Sequence, residues 1–187
     1  MNQRLFSPSY CCLLLANFLL YFGFWLLIPI LPFYLKDVYH LPAGEIGVIL
    51  SIYTVSALII RPFSGYLLDT FNRKFLYILS YALFTLIFAG YIWGNLLYLF
   101  ILLRIIHGLT FGMVTIGGNT IVVDILPSEH RGEGLGYYGL TNNLALCIAP
   151  MFGLLAHNCY SYEIIFSIGF LTCLVGFILA SIVRAPD

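Results

Sequence analysis

The chain has 187 residues, 61% of them hydrophobic and 9% charged, with zero formal net charge and a mean hydropathy of +1.00. Soluble domains carry about 25% charged residues, so a water-exposed globular surface is excluded and lipid becomes the main solvent. A neutral chain lacks the basic face that nucleic acid requires, and the length suits about six helices of roughly 20 residues with short loops.

The first predicted span covers about 10–35. Arg4 precedes it as in a signal peptide, but the apolar stretch is too long for an h-region and no A-x-A-like site follows. It therefore reads as an uncleaved span, ending among Pro29, Pro32 and Lys36-Asp37. The second span runs over about 45–68, with Glu45 favouring its helix N-terminus. A short polar segment follows, loop 69–74, in which Asp69, Arg73 and Lys74 need the hydration of a membrane face. The third span, about 75–93, ends at a Gly94-Asn95 turn. The fourth covers about 96–123, the polar loop 124–133 follows, and the last two spans are about 134–156 and 162–183. These runs lack the alternation of a membrane barrel and are twice as long as its strands. The expected architecture is all-α: one polytopic six-span bundle over residues 1–187.

Arg4, Arg73, Lys74, Arg131 and Arg184 fall on one side of this arrangement and Lys36 on the other. The cation-rich side is predicted to be cytoplasmic, with both termini there. Five cysteines show neither a disulfide framework nor zinc-ligand spacing. No H-E-x-x-H occurs, and His107 has no carboxylate or cysteine near it on its own span. No catalytic residue, metal ligand or cofactor is expected.

Several polar residues lie where lipid would penalise them. Arg104 sits well inside the fourth span, at a cost of about 2.5–3.5 kcal/mol on insertion scales. It should face a water-filled cavity or a partner. Arg104, Gly108, Gly112, Thr115 and Asn119 recur at steps of three or four along one stripe, flanked by His107. The stripe reads as a cavity wall; the bland alternatives are a structural counter-ion at Arg104 and a cross-helix hydrogen bond at His107. Asn17 in the first span, and Asn142 with Asn143 in the fifth, either bond across helices or contact ligand. Phe22, Phe24, Trp25, Tyr53, Tyr137 and Tyr138 could line an amphiphile pocket or simply face lipid. No Asp or Glu lies deep in any span, which leaves His107 as the one intramembrane group titrating near neutral pH. In the fifth span, Ala145, Ala149 and Gly153 are spaced by four around Pro150, a small-residue packing face joined to a proline bend.

These residues resemble the N-terminal half of a major facilitator superfamily transporter. Gly65 to Lys74 is similar to the family's loop signature G-x-x-x-D-x-x-G-R-[RK], with Asn72 at the usual glycine, where asparagine tolerates positive φ. Arg61-Pro62 fits members of the same family. Arg104 to Gly108 matches R-x-x-x-G, linked there to proton coupling. Gly136, Ala145, Ala149-Pro150 and Gly153 resemble the antiporter signature G-x(8)-G-x(3)-G-P-x(2)-G, with two glycines changed to alanine. The resemblance covers nearly the whole chain. It implies proton-driven secondary export of a small amphiphilic compound, from a plasma membrane of the bacterial inner-membrane kind. By the same resemblance, Gly65, Asp69, Arg73, Lys74, Asp124 and Arg131 form a cytoplasmic gate. Asn17, Arg104, His107, Thr115, Asn119 and Asn142 are assigned to the substrate and proton pathway. The family's usual unit has about twelve helices in two halves, so the expected partners are lipid, a small-molecule substrate and a second six-helix half or homodimer mate. The rival expectation is a truncated or structural half, inactive without that second half.

Overall fold

The computed structural model describes residues 5–93 and 96–184; Arg4, the Gly94-Asn95 turn and the last three residues lie outside the described residues. Seven α-helices follow one another: α1 (Pro8–Leu27), α2 (Ile30–Tyr39), α3 (Ala43–Thr70), α4 (Arg73–Trp93), α5 (Leu97–Ile125), α6 (Arg131–Cys159) and α7 (Tyr162–Ile182). No strand occurs among the described residues. Six of the helices are long and apolar enough to cross a membrane, α2 being the exception. The fold is the all-α six-span bundle.

Local chemistry explains the helix ends. The Ser7 hydroxyl accepts the Tyr10 N–H at 3.2 Å and Pro8 opens α1, where a missing N–H costs nothing. The predicted span 10–35 is divided into α1 and α2 at Ile28-Pro29. Neither Pro29 nor Pro32 can donate a backbone hydrogen bond, so the carbonyls of Trp25 and Ile28 lose their helical partners and the helix breaks. His40 closes α2 in the left-handed region, φ 55°, returning its N–H to the Leu35 carbonyl. Pro62 and Pro150, by contrast, sit inside α3 and α6, which continue through them.

Asn72 corrects one expectation. Its backbone does not use positive φ: among the described residues His40 alone, glycine aside, does so. Instead the Asn72 carboxamide accepts the Phe75 N–H at 2.9 Å and caps α4. Loop 124–133 is also shorter than expected, because α5 reaches Ile125, a 3-10 turn takes Ser128–His130 and α6 starts at Arg131.

Helix α1 packs on α6 and α7, α5 on α3 and α4, and α4 on α7. The core between them is strongly aromatic, with Tyr10, Tyr81, Phe84, Phe88, Tyr91, Phe100 and Phe166 buried. Buried tyrosines require partners for their hydroxyls: Tyr10 donates to the Gly134 carbonyl and Tyr81 to the Ala16 carbonyl, each at 2.7 Å. The apolar side chains left outside, among them Val55, Leu58 and Phe63 on α3 and Leu144, Met151 and Leu155 on α6, suit lipid or a further helix. Helices α3 and α6 are the least covered of the six.

Candidate functional site

Arg104 is the eighth residue of α5, about 10 Å in from that helix's first residue at 1.5 Å per residue. Only 2% of it is exposed, and no carboxylate pairs with it among the described residues. Its guanidinium carbon lies 4.4 Å from the centre of the Tyr53 ring, a cation–π contact from α3. Such a contact returns about 0.5–2 kcal/mol, less than burial removes. The buried Nε–H has no acceptor among the described residues. The side chain borders a cavity of about 320 Å³ whose walls come from α1, α2, α3, α5 and the break between α1 and α2: Phe24, Ile28, Leu31, Ser51, Tyr53 and Thr54 contribute. No acidic side chain lines it.

His107, almost a full turn along α5, faces α4. Its Nδ1 is 3.0 Å from the Tyr91 hydroxyl, and its ring sits 4.4 Å from Phe84 and 5.3 Å from both Tyr53 and Phe88. It is fully buried, with no partner at Nε2 among the described residues. Tyr53 therefore touches both polar groups, presenting its face to Arg104 and meeting the imidazole edge-on. The sequence placed Tyr53 only among the general aromatic stock; nothing local marks which helix will lie opposite Arg104.

Within the rest of the stripe, Gly108 and Gly112 meet protein and Asn119 is exposed. A methyl group on Gly108 would collide with the Tyr53 carbonyl, and one on Gly112 would sit 2.8 Å from the Ala57 carbonyl. These glycines bring α5 against α3. The Thr115 hydroxyl donates to the Phe111 and Gly112 carbonyls at 2.9 and 3.1 Å, and the exposed Asn119 donates to the Thr115 carbonyl at 3.0 Å. Of the five stripe residues, Arg104 alone borders the cavity.

The asparagines join α1 to α6. Asn17 donates to Thr141 Oγ1 at 2.8 Å and to the Tyr138 carbonyl at 3.2 Å, while Asn142 accepts from Trp25 Nε1 at 2.9 Å. Ala145 and Ala149 are fully buried, and a methyl group on Gly153 would stand 2.5 Å from the Leu26 carbonyl. The small-residue face of α6 thus packs on α1, with Pro150 in its midst, whereas Gly136 opens onto free space.

At the α3–α4 junction, Arg73 forms a fork to Asp124 at 2.9 and 3.1 Å, reaches Asp69 at 3.4 Å, and donates from Nε to the Leu68 carbonyl at 3.3 Å. Three helix ends are joined by one guanidinium. Arg131 makes no ion pair with these carboxylates. Its Nε donates instead to the Val123 and Leu126 carbonyls at 3.1 and 3.4 Å, covering the end of α5. Lys74 makes no ion pair among the described residues. Gly65 has open space where a side chain would stand. No group of three His, Cys, Asp or Glu among the described residues could hold a metal ion.

Residues 13–187 match the family model of the Major Facilitator Superfamily. The chain belongs to this superfamily. Its relatives include the quinolone resistance protein NorA of Staphylococcus aureus, 31% identical over 153 residues, which cover 82% of this chain and 38% of that protein. Multidrug resistance protein 2 of Bacillus subtilis is 29% identical over 139 residues, covering 74% and 34%. A peptide transporter of known structure shares the fold at a TM-score of 0.80 and 18% identity, over 91% of this chain and 36% of that one. This superfamily chain spans well under half the length of the curated relatives it matches.

Proposed function

We propose that this chain is one half of a proton-coupled secondary transporter that exports a small amphiphilic compound through the cavity beside Arg104. The observation that carries the reading is Arg104 itself, a buried guanidinium with no carboxylate partner among the described residues, on a side chain that borders a 320 Å³ cavity. Bilayer proteins keep such a charge where it serves a pathway. His107 adds a second orphaned nitrogen beyond the shared Tyr53 ring, a route by which protonation and cavity charge can influence each other. Relatives named for quinolone and multidrug resistance support export of amphiphiles.

Arg73, Lys74, Arg131 and Arg184 mark the cytoplasmic face in this reading, with Lys36 opposite. The Arg73–Asp124–Asp69 cluster acts as a latch on that face while the half rocks against a second half. The poorly covered α3 and α6 suit such a partner, and they also favour the second reading: a half that is inactive alone.

Reconstitution tests both. Proteoliposomes holding the chain, with and without a second six-helix half, should accumulate a small amphiphilic anionic dye under an imposed pH gradient. Accumulation should collapse with a protonophore and with Arg104→Ala. Accumulation that ignores both refutes proton coupling through Arg104; accumulation only with the second half added supports the inactive-half reading.

A further inference from the structure

Arg61 is a second guanidinium at membrane depth, and unlike Arg104 it is exposed on the outside of the bundle. It stands nine residues before the end of α3 at Thr70, about 14 Å in at 1.5 Å per residue. At 28 residues α3 is about 42 Å long, about 12 Å more than a hydrocarbon layer of about 30 Å. With all of that excess placed at the Thr70 end, the Arg61 Cα still lies inside the apolar layer. A helical side chain leans toward its helix N-terminus, which carries the guanidinium away from the headgroups beside Thr70. Its charge is felt at the Tyr21 hydroxyl on α1, yet among the described residues it makes no ion pair or hydrogen bond. Arginine stays cationic in proteins, and a membrane helix keeps such a charge where a partner or a pathway uses it.

The surrounding face of α3 suits a helix as that partner. Pro62 has no N–H to return to the Leu58 carbonyl, and a freed carbonyl in lipid needs a donor from a neighbouring element. Gly65, four residues beyond Arg61, has open space where a side chain would stand, so another backbone can come close. Leu58, Arg61 and Gly65 recur at steps of three and four along one exposed face. A second copy of this chain cannot neutralise that face. Every described carboxylate stands in the first or last turn of a helix or in the 3-10 turn between α5 and α6, and symmetric packing over the same face sets one guanidinium against another. The curated relatives carry more than half their length outside the matched stretch, enough for a different mate.

We propose, resting on the reading of this chain as one half of a transporter, that the Leu58–Arg61–Gly65 face of α3 receives a helix of a second, non-identical half and that a carboxylate at that depth on the mate pairs with Arg61. The fork geometry of guanidinium and carboxylate then sets register between the halves.

The full chain in phosphatidylcholine vesicles at neutral pH, paired by fluorescence energy transfer with leucine–alanine transmembrane peptides, provides the test. The peptides differ in one residue at the depth of Arg61: Glu, Gln or Lys. The Glu peptide is expected to associate at least about tenfold more tightly than the Gln peptide, a difference of about 1.4 kcal/mol, and the Lys peptide not at all. Arg61→Gln, an exposed substitution, should level the Glu and Gln peptides, and Arg61→Glu should turn the preference to the Lys peptide. Equal association of Glu and Gln peptides, or a Glu preference that survives Arg61→Gln, overturns the pairing. A preference that vanishes in an equimolar phosphatidylglycerol mixture overturns it in favour of lipid phosphate. A dimer of the chain itself tighter than its complex with the Glu peptide overturns the choice of a non-identical mate. Because the readout is association, a chain that selects the Glu peptide yet moves no dye when supplied with a second half sinks the export reading alone.

Discussion

Gly108→Ala should separate α5 from α3 and loosen Arg104 in the same stroke. The added methyl would land on the Tyr53 carbonyl, 2.8 Å from the Ser56 Cβ and 3.0 Å from the Tyr53 carbonyl carbon. Two of these three obstacles are backbone, so no rotamer change can relieve them and one helix must withdraw. Overpacking of this kind costs about 1–3 kcal/mol. Withdrawal also lifts Tyr53 from the guanidinium, at up to about 2 kcal/mol more if that contact is lost. Alanine is favoured over glycine in a helix interior by about 1 kcal/mol, which masks part of the effect. Gly65→Ala is the proper control. It lies inside α3 with open space around it, so it takes the helix gain without the clash. In detergent or nanodiscs, reversible unfolding should put Gly108→Ala below Gly65→Ala by about 1–3 kcal/mol after the shared helix gain cancels. Equal stability of the two would refute the close α3–α5 contact and with it the placing of Tyr53 on Arg104.

Three other substitutions probe the joints of the bundle. Asn72→Ala should cost about 0.5–2 kcal/mol by removing the α4 cap, and Asn72→Gly only a few tenths; a marked gain from glycine in thermal melts would instead favour a positive-φ turn. Asn142→Ala leaves the Trp25 indole without its acceptor, at about 1 kcal/mol; the tryptophan emission should shift to the blue, and an unchanged spectrum would show the bond to be absent. Asp124→Asn removes charge from the fork to Arg73 at 2.9 Å, whereas Asp69→Asn weakens a longer, more exposed contact at 3.4 Å. Hydrogen exchange at the α3–α4 junction should accelerate more in the first variant than in the second.

Six spans, their breaks and the polar junctions were legible in the residues because hydropathy and helix ends are local properties. A run of 20 apolar residues is long enough for the hydrocarbon whatever it packs against, and Asp69, Arg73 and Asp124 stand next to helix ends wherever those ends meet. The depth of Arg104 was equally plain. Which way each helix turned was not. A stripe of Gly108, Gly112, Thr115 and Asn119 suits a wet wall and a dry helix contact alike, since small residues admit either water or another backbone. The pairing of α5 with α3 puts backbone against Gly108 and Gly112 and the Tyr53 ring against Arg104, while Asn119 stays exposed. Likewise Pro29 and Pro32 were visible as a span ending, yet only the folded chain shows α2 continuing beyond the break to wall that cavity. The residues alone determined that a charge must be buried in a membrane helix; the arrangement of helices decided what surrounds it, because helical periodicity gives a face its direction but never its neighbour.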